Sequence, residues 1–182
     1  MEYYSITWRR LHTDTHTLAQ KIIKGNQKYD LIVAIARGGF TISHILTDFL
    51  RLPVASFTVS SYKDLKQVGN PEIAFEVGGN LKGKRILLVD DCSDTGKTFI
   101  RGMKYLKELG AESVGTASPY IKPWTKVIPD FYVRSTKKWI VFPFDVRETI
   151  EAIQRRGLTD AQVREELKTI KFFPHLVNHY VK

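Results

Sequence analysis

Residues 85–98, RILLVDDCSDTGKT, predict a strand, a loop and the start of a helix. Arg85–Val89 is an apolar run with the length of a buried strand, and Asp90 and Asp91 follow at its carboxyl end. An anion suits Thr95–Thr98, because the first amides of a helix lack intrahelical partners and carry the positive end of its dipole. Asp90, Asp91 and Asp94 suit hydroxyl groups or a divalent cation. One short loop therefore offers a phosphate cradle beside a set of carboxylates.

Two simpler interpretations compete with this one. The acids and glycine could be ordinary turn and capping residues after a strand. Gly96-Lys97-Thr98 could also be the end of a Walker-type phosphate loop, but that loop needs a glycine five residues before Gly96, where Asp91 stands. The second interpretation is therefore disfavoured. The occurrence of three acids together with a helix start favours a binding loop over a plain turn.

Length and composition predict one soluble domain with a sizeable core. The chain has 182 residues, which is the size of a single domain. Its apolar runs are far shorter than the ~20 residues of a membrane helix, and its first residues lack the apolar core of a signal peptide. A single cysteine, Cys92, fits a reducing compartment, and its acidic neighbours disfavour a reactive thiolate. We therefore expect a cytoplasmic protein with no membrane partner.

A net charge of +9 favours anionic partners. Nucleic acid is the general candidate, but the lysines and arginines are spread along the chain and match no known nucleic-acid-binding module. A small substrate with several phosphate groups explains the same excess of positive charge. We therefore expect no dedicated nucleic-acid partner.

A second apolar strand, Leu31–Ala36, ends in Arg37-Gly38-Gly39. The glycines permit positive φ and a close approach of the backbone to a ligand, and the arginine suits bidentate phosphate binding. A helix over 40–50 and a strand over 53–60 follow. This order predicts an α/β fold, with a mostly parallel twisted sheet flanked by helices and joined by right-handed crossovers.

The remaining segments extend this pattern. Residues 61–84 are rich in glycine, proline and charge, which predicts a flexible functional loop with disorder as the alternative. Thr159 to Gln162 form a capping box in a C-terminal helical extension. The other predicted elements are a helix over 99–109, strands over 112–120, 131–134 and 139–142, and a helix over 148–156.

The stretch VDD, two residues, then DTGKT resembles the ribose-phosphate signature of the type I phosphoribosyltransferases. Within that family it is most similar to the microbial xanthine-guanine and hypoxanthine (6-oxopurine) phosphoribosyltransferases. The resemblance covers about residues 3–147 and implies binding of 5-phosphoribosyl 1-diphosphate with Mg²⁺. It predicts a phosphoribosyltransferase domain over 1–147 and a helical extension over 148–182 that packs on the domain or on a partner subunit.

The resemblance also implies roles for the residues of the central loop. Asp90 and Asp91 would hold the ribose hydroxyls, with Asp91 also near the metal, and Asp94 would be the general base. The 5′-phosphate would bind Asp94, Thr95, Gly96, Lys97 and Thr98. The pyrophosphate would bind Arg37, Gly38 and Gly39, through a loop that often contains a cis peptide, here at Arg37-Gly38.

Outside the central loop, the resemblance assigns six more residues. Ser61 and Tyr62 would begin a lid over the site, and Asp145 would help to hold the metal. Lys122 would donate to the exocyclic oxygen of the purine, Trp139 would stack on the base, and Ile140 would contact its edge through the backbone. Val141 departs from the polar or acidic residue of the bacterial relatives, which leaves the choice among guanine, xanthine and hypoxanthine open.

The activity implied by these roles is purine salvage, with GMP, XMP or IMP as the product, in a homodimer or higher homo-oligomer. Two alternatives remain open. The same fold could serve as a nucleotide-sensing regulator, or the enzyme could use another base. Lys122 argues against adenine, whose 6-amino group offers no acceptor to an ammonium group.

Overall fold

The computed structural model describes residues 2–60, 71–170 and 174–181. They form two compact units, His12–Thr136 and Met1–Leu11 with Lys137–Lys182. The predicted division into 1–147 and 148–182 stays a prediction. Within the described part of the chain, none of the helices has the length and apolar character needed to span a membrane.

The strands and helices alternate over much of the chain, as predicted. The strands are β1 Tyr3–Ser5, β2 Leu31–Ala36, β3 Val54–Ser60, β4 Glu72–Phe75, β5 Arg85–Val89, β6 Cys92–Ser93, β7 Ser113–Ile121, β8 Phe131–Ser135 and β9 Trp139–Val141. The helices are α1 Trp8–Lys24, α2 Gly39–Leu50, α3 Lys97–Glu108, α4 Val146–Gln154, α5 Asp160–Ile170 and α6 Pro174–Tyr180. The short strands β1 and β6 were not predicted from the sequence.

The unit His12–Thr136 contains a mostly parallel sheet. Among the described strands its order is β4-β3-β2-β5-β7-β6, with β8 also paired to β7. The pairings are parallel except for β4, which runs antiparallel to β3. This confirms the predicted α/β fold class. Because Ala34 pairs with Val89, the residues that follow β2 and β5 emerge side by side at one edge of the sheet.

Strand β2 and, after Arg85, strand β5 are apolar because both of their faces are buried. Side chains from alternate positions of β2 and β5, among them Val33 and Leu88, pack with Phe99 and Leu106 of α3 in one core cluster. The intervening positions, such as Ile32, are equally buried. Burial of each large apolar side chain contributes about 1.5–3 kcal/mol, so these strands hold the sheet edge firmly in place.

Helix α1 is fixed to the sheet by a buried carboxylate. Asp14 is 1% exposed and accepts a hydrogen bond of 3.0 Å from Tyr120 Oη of β7. Arg134 of β8 also donates to Asp14 from Nε at 3.0 Å. A buried carboxylate is tolerated only with such partners, so these bonds fix the position of the helix on β7 and β8.

We expect Asp14→Ala to lower the free energy of unfolding by about 1–3 kcal/mol, because it removes the hydrogen bonds that Tyr120 and Arg134 donate to this buried carboxylate. Urea denaturation measures the change. Gln20→Ala, at an exposed position of the same helix, is the control and should stay within about 0.5 kcal/mol of the parent. Equal effects of the two substitutions would contradict the anchoring role.

The unit formed by Met1–Leu11 and Lys137–Lys182 has its own small core. β1 and β9 pair in parallel, with Tyr3 opposite Trp139. Val141 of β9 packs with apolar residues of α4 and α5 in one cluster. The capping box is confirmed, since Gln162 N donates to Thr159 Oγ1 at 3.3 Å and Thr159 N donates to Gln162 Oε1 at 2.9 Å.

Candidate active site

The loop after β2 lies directly against the loop after β5. A Cβ atom on Gly38 would lie 2.3 Å from Asp91 Oδ2, and one on Gly39 would lie 2.5 Å from the carbonyl oxygen of Val89. Gly38 has an ordinary helical φ of −54°. The glycine is therefore required for space at this contact, whereas the sequence analysis had also invoked positive φ.

A cis peptide bond is present in this loop, at Ala36-Arg37. The expected position, Arg37-Gly38, was one residue too late. The bond is a non-proline peptide and lies where β2 ends and the loop begins.

Asp90 and Asp91 form a pair of adjacent carboxyl groups at the end of β5. Asp90 is 9% exposed, and the backbone N–H of Asp91 donates to Asp90 Oδ1 at 3.0 Å. Burial raises the pKa of Asp90 well above its usual range, and the neighbouring Asp91 charge raises it further. A cation or hydroxyl donors bound beside the pair would offset this cost and favour its ionised form.

The raised pKa of Asp90 has a consequence for stability. In the folded protein this group binds its proton more tightly than an unfolded aspartate, so its contribution to stability falls as pH rises above about 4. We expect Asp90→Asn to raise the free energy of unfolding at pH 7 by about 1–2 kcal/mol and to flatten its decline with pH. Urea denaturation in EDTA, repeated between about pH 4 and pH 7, measures both effects.

The exposed Asp48→Asn on α2 is the matched control for charge removal and should change stability by less than about 0.5 kcal/mol. A lower stability of Asp90→Asn at pH 7 would contradict the electrostatic strain.

Residues 94–96 form the loop that leads into α3, and the first amides of that helix lack intrahelical partners. Gly96 is the residue before the helix, with φ of 81°, and a Cβ atom there would lie 2.6 Å from Val127 N. Both the backbone conformation and the contact favour glycine. Lys97 N lies 3.4 Å from Thr95 Oγ1, and the first turn of α3 contains no acidic residue. An acid-free helix start is compatible with an anion, and the predicted phosphate site stays a prediction.

Residues 122–127 pair with residues 93–95 of this loop, a contact that the sequence analysis did not predict. Lys122 N donates to Ser93 O at 2.9 Å, and Lys126 N donates to Thr95 O at 3.2 Å. The Ser93 hydroxyl donates to Val127 O at 2.8 Å. The two segments are therefore tied together on both sides of Asp94. The sequence signal for this pairing was weak, because β6 has only two residues.

The segment 122–127 carries the side chains of Lys122 and Trp124. Lys122 is 7% exposed, and its Nζ lies 5.6 Å from the centre of the Trp124 ring. Trp124 Nε1 donates to Asp94 Oδ1 at 2.8 Å. The structure thus brings Lys122 and Asp94 to one indole ring. Trp124 was missed by sequence reasoning, although a tryptophan two residues after the candidate lysine was a usable signal.

The sequence matches the family described as "Phosphoribosyl transferase domain" over residues 7–150. The chain belongs to this family. A xanthine-guanine phosphoribosyltransferase from Idiomarina loihiensis is 31% identical over 146 residues, covering 79% of this chain and 87% of the relative.

Two solved structures are similar to this phosphoribosyltransferase. A purine phosphoribosyltransferase from Pyrococcus horikoshii has 39% identity and a TM-score of 0.70, over 79% of this chain and 95% of that one. A hypothetical protein from Neisseria gonorrhoeae with bound ppGpp has 28% identity and a TM-score of 0.70, over 80% of this chain and 90% of that one. These similarities agree with the resemblance inferred from the central motif.

The phosphoribosyltransferase has an unreactive thiol at Cys92. Burial raises the pKa of the Cys92 thiol, and Asp91 raises it further. The effect of acidic neighbours was predicted, but burial is the larger cause. A thiol kept protonated is a weak nucleophile, so no thiol chemistry is expected at Cys92.

The candidate purine-binding residues of β9 lie in the unit Met1–Leu11 with Lys137–Lys182. Trp139 is half-exposed, whereas Val141 is buried. Trp139 N donates to Glu2 O, and Val141 O accepts from Ile6 N, both at 2.9 Å. Trp139 and Val141 therefore direct these backbone groups towards the β1 segment. The backbone groups of Ile140 point to the other edge because successive residues alternate, and its contact with the purine stays a prediction.

Two further assignments in this phosphoribosyltransferase have less structural support. Ser61 and Tyr62, the predicted lid residues, lie outside the described residues. Asp145 is the residue before α4, and its N–H donates to Phe142 O at 3.2 Å. Across the described ranges, with 61–70 and 171–173 left out, there is no cluster of three or more histidine, cysteine or acidic side chains suited to a metal.

Proposed function

We propose that this phosphoribosyltransferase acts in purine salvage and transfers 5-phosphoribose from 5-phosphoribosyl 1-diphosphate to a 6-oxopurine. The products would be pyrophosphate and GMP, XMP or IMP. The observation that carries the proposal is the contact between Gly38 and the Asp91 carboxylate, which joins a candidate pyrophosphate loop to a candidate ribose loop. The names of the similar bacterial and archaeal proteins support the same class of base.

The sugar substrate has two anionic ends, and the site has a separate group for each. Arg37 and the amides of Gly38 and Gly39 bind the pyrophosphate, while Asp90 and Asp91 accept hydrogen bonds from the ribose hydroxyls. The 5′-phosphate binds the amides of residues 94–98 together with the Thr95 and Thr98 hydroxyls. The positive end of α3 favours this phosphate.

Transfer breaks the bond between the ribose C1 carbon and the pyrophosphate oxygen, and the electron pair leaves with pyrophosphate. The purine N9 atom forms the new bond to C1, and Asp94 accepts the proton from N7. The transition state resembles a sugar cation, so catalysis depends on fixed charges and exclusion of water. Ser61 and Tyr62 are proposed to begin the lid that excludes water.

Recognition of the base depends on Lys122, which donates to the exocyclic oxygen at position 6. Trp139 stacking and the Ile140 backbone contacts remain proposals that rest on the family resemblance. The buried Val141 stands where bacterial relatives have a polar or acidic residue, so the preferred 6-oxopurine is left to experiment.

Magnesium fits the acids of this site by donor type. Mg²⁺ prefers oxygen ligands and is usually held by one or two carboxylates together with substrate phosphates, which explains how a site without a three-residue cluster can use it. Asp91 and Asp145 are the proposed ligands. When bound, Mg²⁺ supplies positive charge that offsets the charge of the pyrophosphate.

The proposal extends to the setting of the enzyme. We place the phosphoribosyltransferase domain at 1–147 and an accessory helical extension at 148–182, in a cytoplasmic homodimer or higher homo-oligomer. Sedimentation velocity of the intact protein tests the oligomeric state, and a monomer at micromolar concentration would contradict it.

A nucleotide sensor is the second candidate function. It is favoured by the bound ppGpp of the similar Neisseria protein, because a fold with a phosphate cradle can bind a nucleotide without turning over. Tight binding of ppGpp together with no transfer to any base would favour this alternative.

The test is a base panel. The protein is incubated with 5-phosphoribosyl 1-diphosphate, Mg²⁺ and, separately, guanine, xanthine, hypoxanthine, adenine and uracil, and nucleotide formation is followed by absorbance. We expect turnover with 6-oxopurines and at least about 100-fold less with adenine, since mismatched buried polar groups give strong discrimination. Equal turnover with adenine would contradict the role of Lys122. The variant Lys122→Met tests this role directly, because it removes the ammonium group and keeps a side chain of similar length.

A further inference from the structure

The indole ring of Trp124 contacts both side chains that the proposed function places on one edge of the purine. Its Nε1–H donates to Asp94 Oδ1 at 2.8 Å, and Lys122 Nζ lies over the ring, 5.6 Å from its centre. Trp124 is 54% exposed, so burial in the apolar core does not account for its position. The ring instead lies between two groups of opposite charge.

The backbone around Trp124 is held in place independently of its side chain. Lys122 N and Lys126 N donate to Ser93 O and Thr95 O, which flank Asp94 on both sides. The Ser93 and Thr125 hydroxyls lie 2.8 Å apart within the same pairing. These bonds hold the backbone on both sides of Asp94, and the indole N–H is a hydrogen-bond donor to its carboxylate.

The chemistry of the base explains why such a hydrogen bond is useful. The O6 and N7 atoms of a 6-oxopurine lie side by side on one edge of the ring system. Lys122 at O6 and Asp94 at N7 must therefore be held at a matching separation. A donor on Oδ1 of Asp94 leaves Oδ2 to accept the N7 proton.

We propose that Trp124 is a positioning residue that fixes the Asp94 carboxylate beside Lys122, in register with the O6 and N7 edge of a 6-oxopurine. This proposal rests on the proposed function, because it presumes that Asp94 is the base and that Lys122 contacts O6. Trp124 itself has no contact with the reacting atoms. Its effect passes through Asp94 and is absent when Asp94 cannot act as a base.

Trp124→Phe removes the indole N–H and retains an aromatic ring near Lys122. We expect kcat to fall about tenfold, the low end for losing a hydrogen bond to a charged group at an exposed site, with KM for 5-phosphoribosyl 1-diphosphate changed less than about twofold. Trp8→Phe is the matched control, since Trp8 is 51% exposed and contacts Phe144 instead. Equal losses in both variants would overturn the proposal.

A double-mutant cycle separates this idea from a general structural role. In the Asp94→Asn protein, adding Trp124→Phe should change kcat by less than about twofold, because the two residues act as a unit. Independent, multiplicative effects would overturn the positioning role while leaving the proposed function intact. Near-normal turnover of Asp94→Asn by itself would instead refute the proposed function of Asp94.

A measurement without turnover tests the same contact. The indole ¹H–¹⁵N resonance of Trp124, assigned by its loss in Trp124→Phe, should shift in Asp94→Ala while that of Trp8 stays in place. An unchanged Trp124 resonance would show that the indole does not bond to Asp94 in solution, and would overturn the proposal.

Discussion

Asp94→Asn is expected to lower kcat by about 10²- to 10⁴-fold, the usual contribution of a general base. The asparagine keeps the size of the side chain and an oxygen that can accept from Trp124 Nε1, whose bond to Asp94 is 2.8 Å long. It cannot accept the N7 proton as a carboxylate does. Steady-state kinetics with a 6-oxopurine measures kcat, and calorimetry measures the Kd for 5-phosphoribosyl 1-diphosphate, which should change little.

The control for Asp94→Asn is Asp48→Asn, which removes the same charge from an exposed position on α2. It should leave kcat within about twofold of the parent, since surface substitutions have small effects. Near-normal turnover of Asp94→Asn would remove Asp94 from the base role. A large loss of 5-phosphoribosyl 1-diphosphate binding would instead move Asp94 to substrate binding.

Gly38→Ala is expected to lower kcat/KM for 5-phosphoribosyl 1-diphosphate by about 100-fold. The new Cβ atom would lie 2.3 Å from Oδ2 and 2.4 Å from Cγ of Asp91, so the Asp91 carboxylate must turn away or the loop after β2 must move. Either change moves the proposed pyrophosphate-binding residues 37–39 relative to the proposed ribose-binding residues 90–91, and a displacement of about 1 Å at such a site can cost 10²-fold in rate.

Gly78→Ala is the matched control, because a Cβ atom at Gly78 meets no other atom within 4 Å. Its kinetics should equal those of the parent, which separates the contact with Asp91 from any general effect of replacing glycine. Far-UV circular dichroism checks that Gly38→Ala retains its fold. An unchanged kcat/KM in folded Gly38→Ala would contradict the close packing of the two loops.

The fold was largely predictable because its signals are local. Leu31–Ala36 and Arg85–Val89 are continuous apolar runs, and strands buried on both faces require that pattern. The capping box at Thr159 was predictable for the same reason, since its bonds join residues three apart. Strands β1 and β6 have three and two residues and depend on partners distant in sequence, so no local pattern indicated them.

The candidate site was predictable where strand ends carry distinctive residues, as at Asp90 and Asp91. The position of the cis peptide was misjudged by one residue, because backbone isomerism leaves no mark in the side-chain pattern. The role of Gly38 is set by Asp91, which is 53 residues away in the chain and came into view only through the pairing of β2 with β5. The contact of Trp124 with Asp94 joins residues 30 positions apart, so its proximity to Lys122 in sequence was the only local signal.

The proposed reaction breaks the C1–oxygen bond of 5-phosphoribosyl 1-diphosphate and joins C1 to a 6-oxopurine. ³¹P NMR of a reaction with Mg²⁺ and guanine, xanthine or hypoxanthine follows both phosphorus-containing products at once. We expect pyrophosphate and a nucleoside 5′-monophosphate to appear in equal amounts, and neither to form with Asp94→Asn on the same time scale. Pyrophosphate without nucleotide, or no reaction with any of the three bases, would contradict the account.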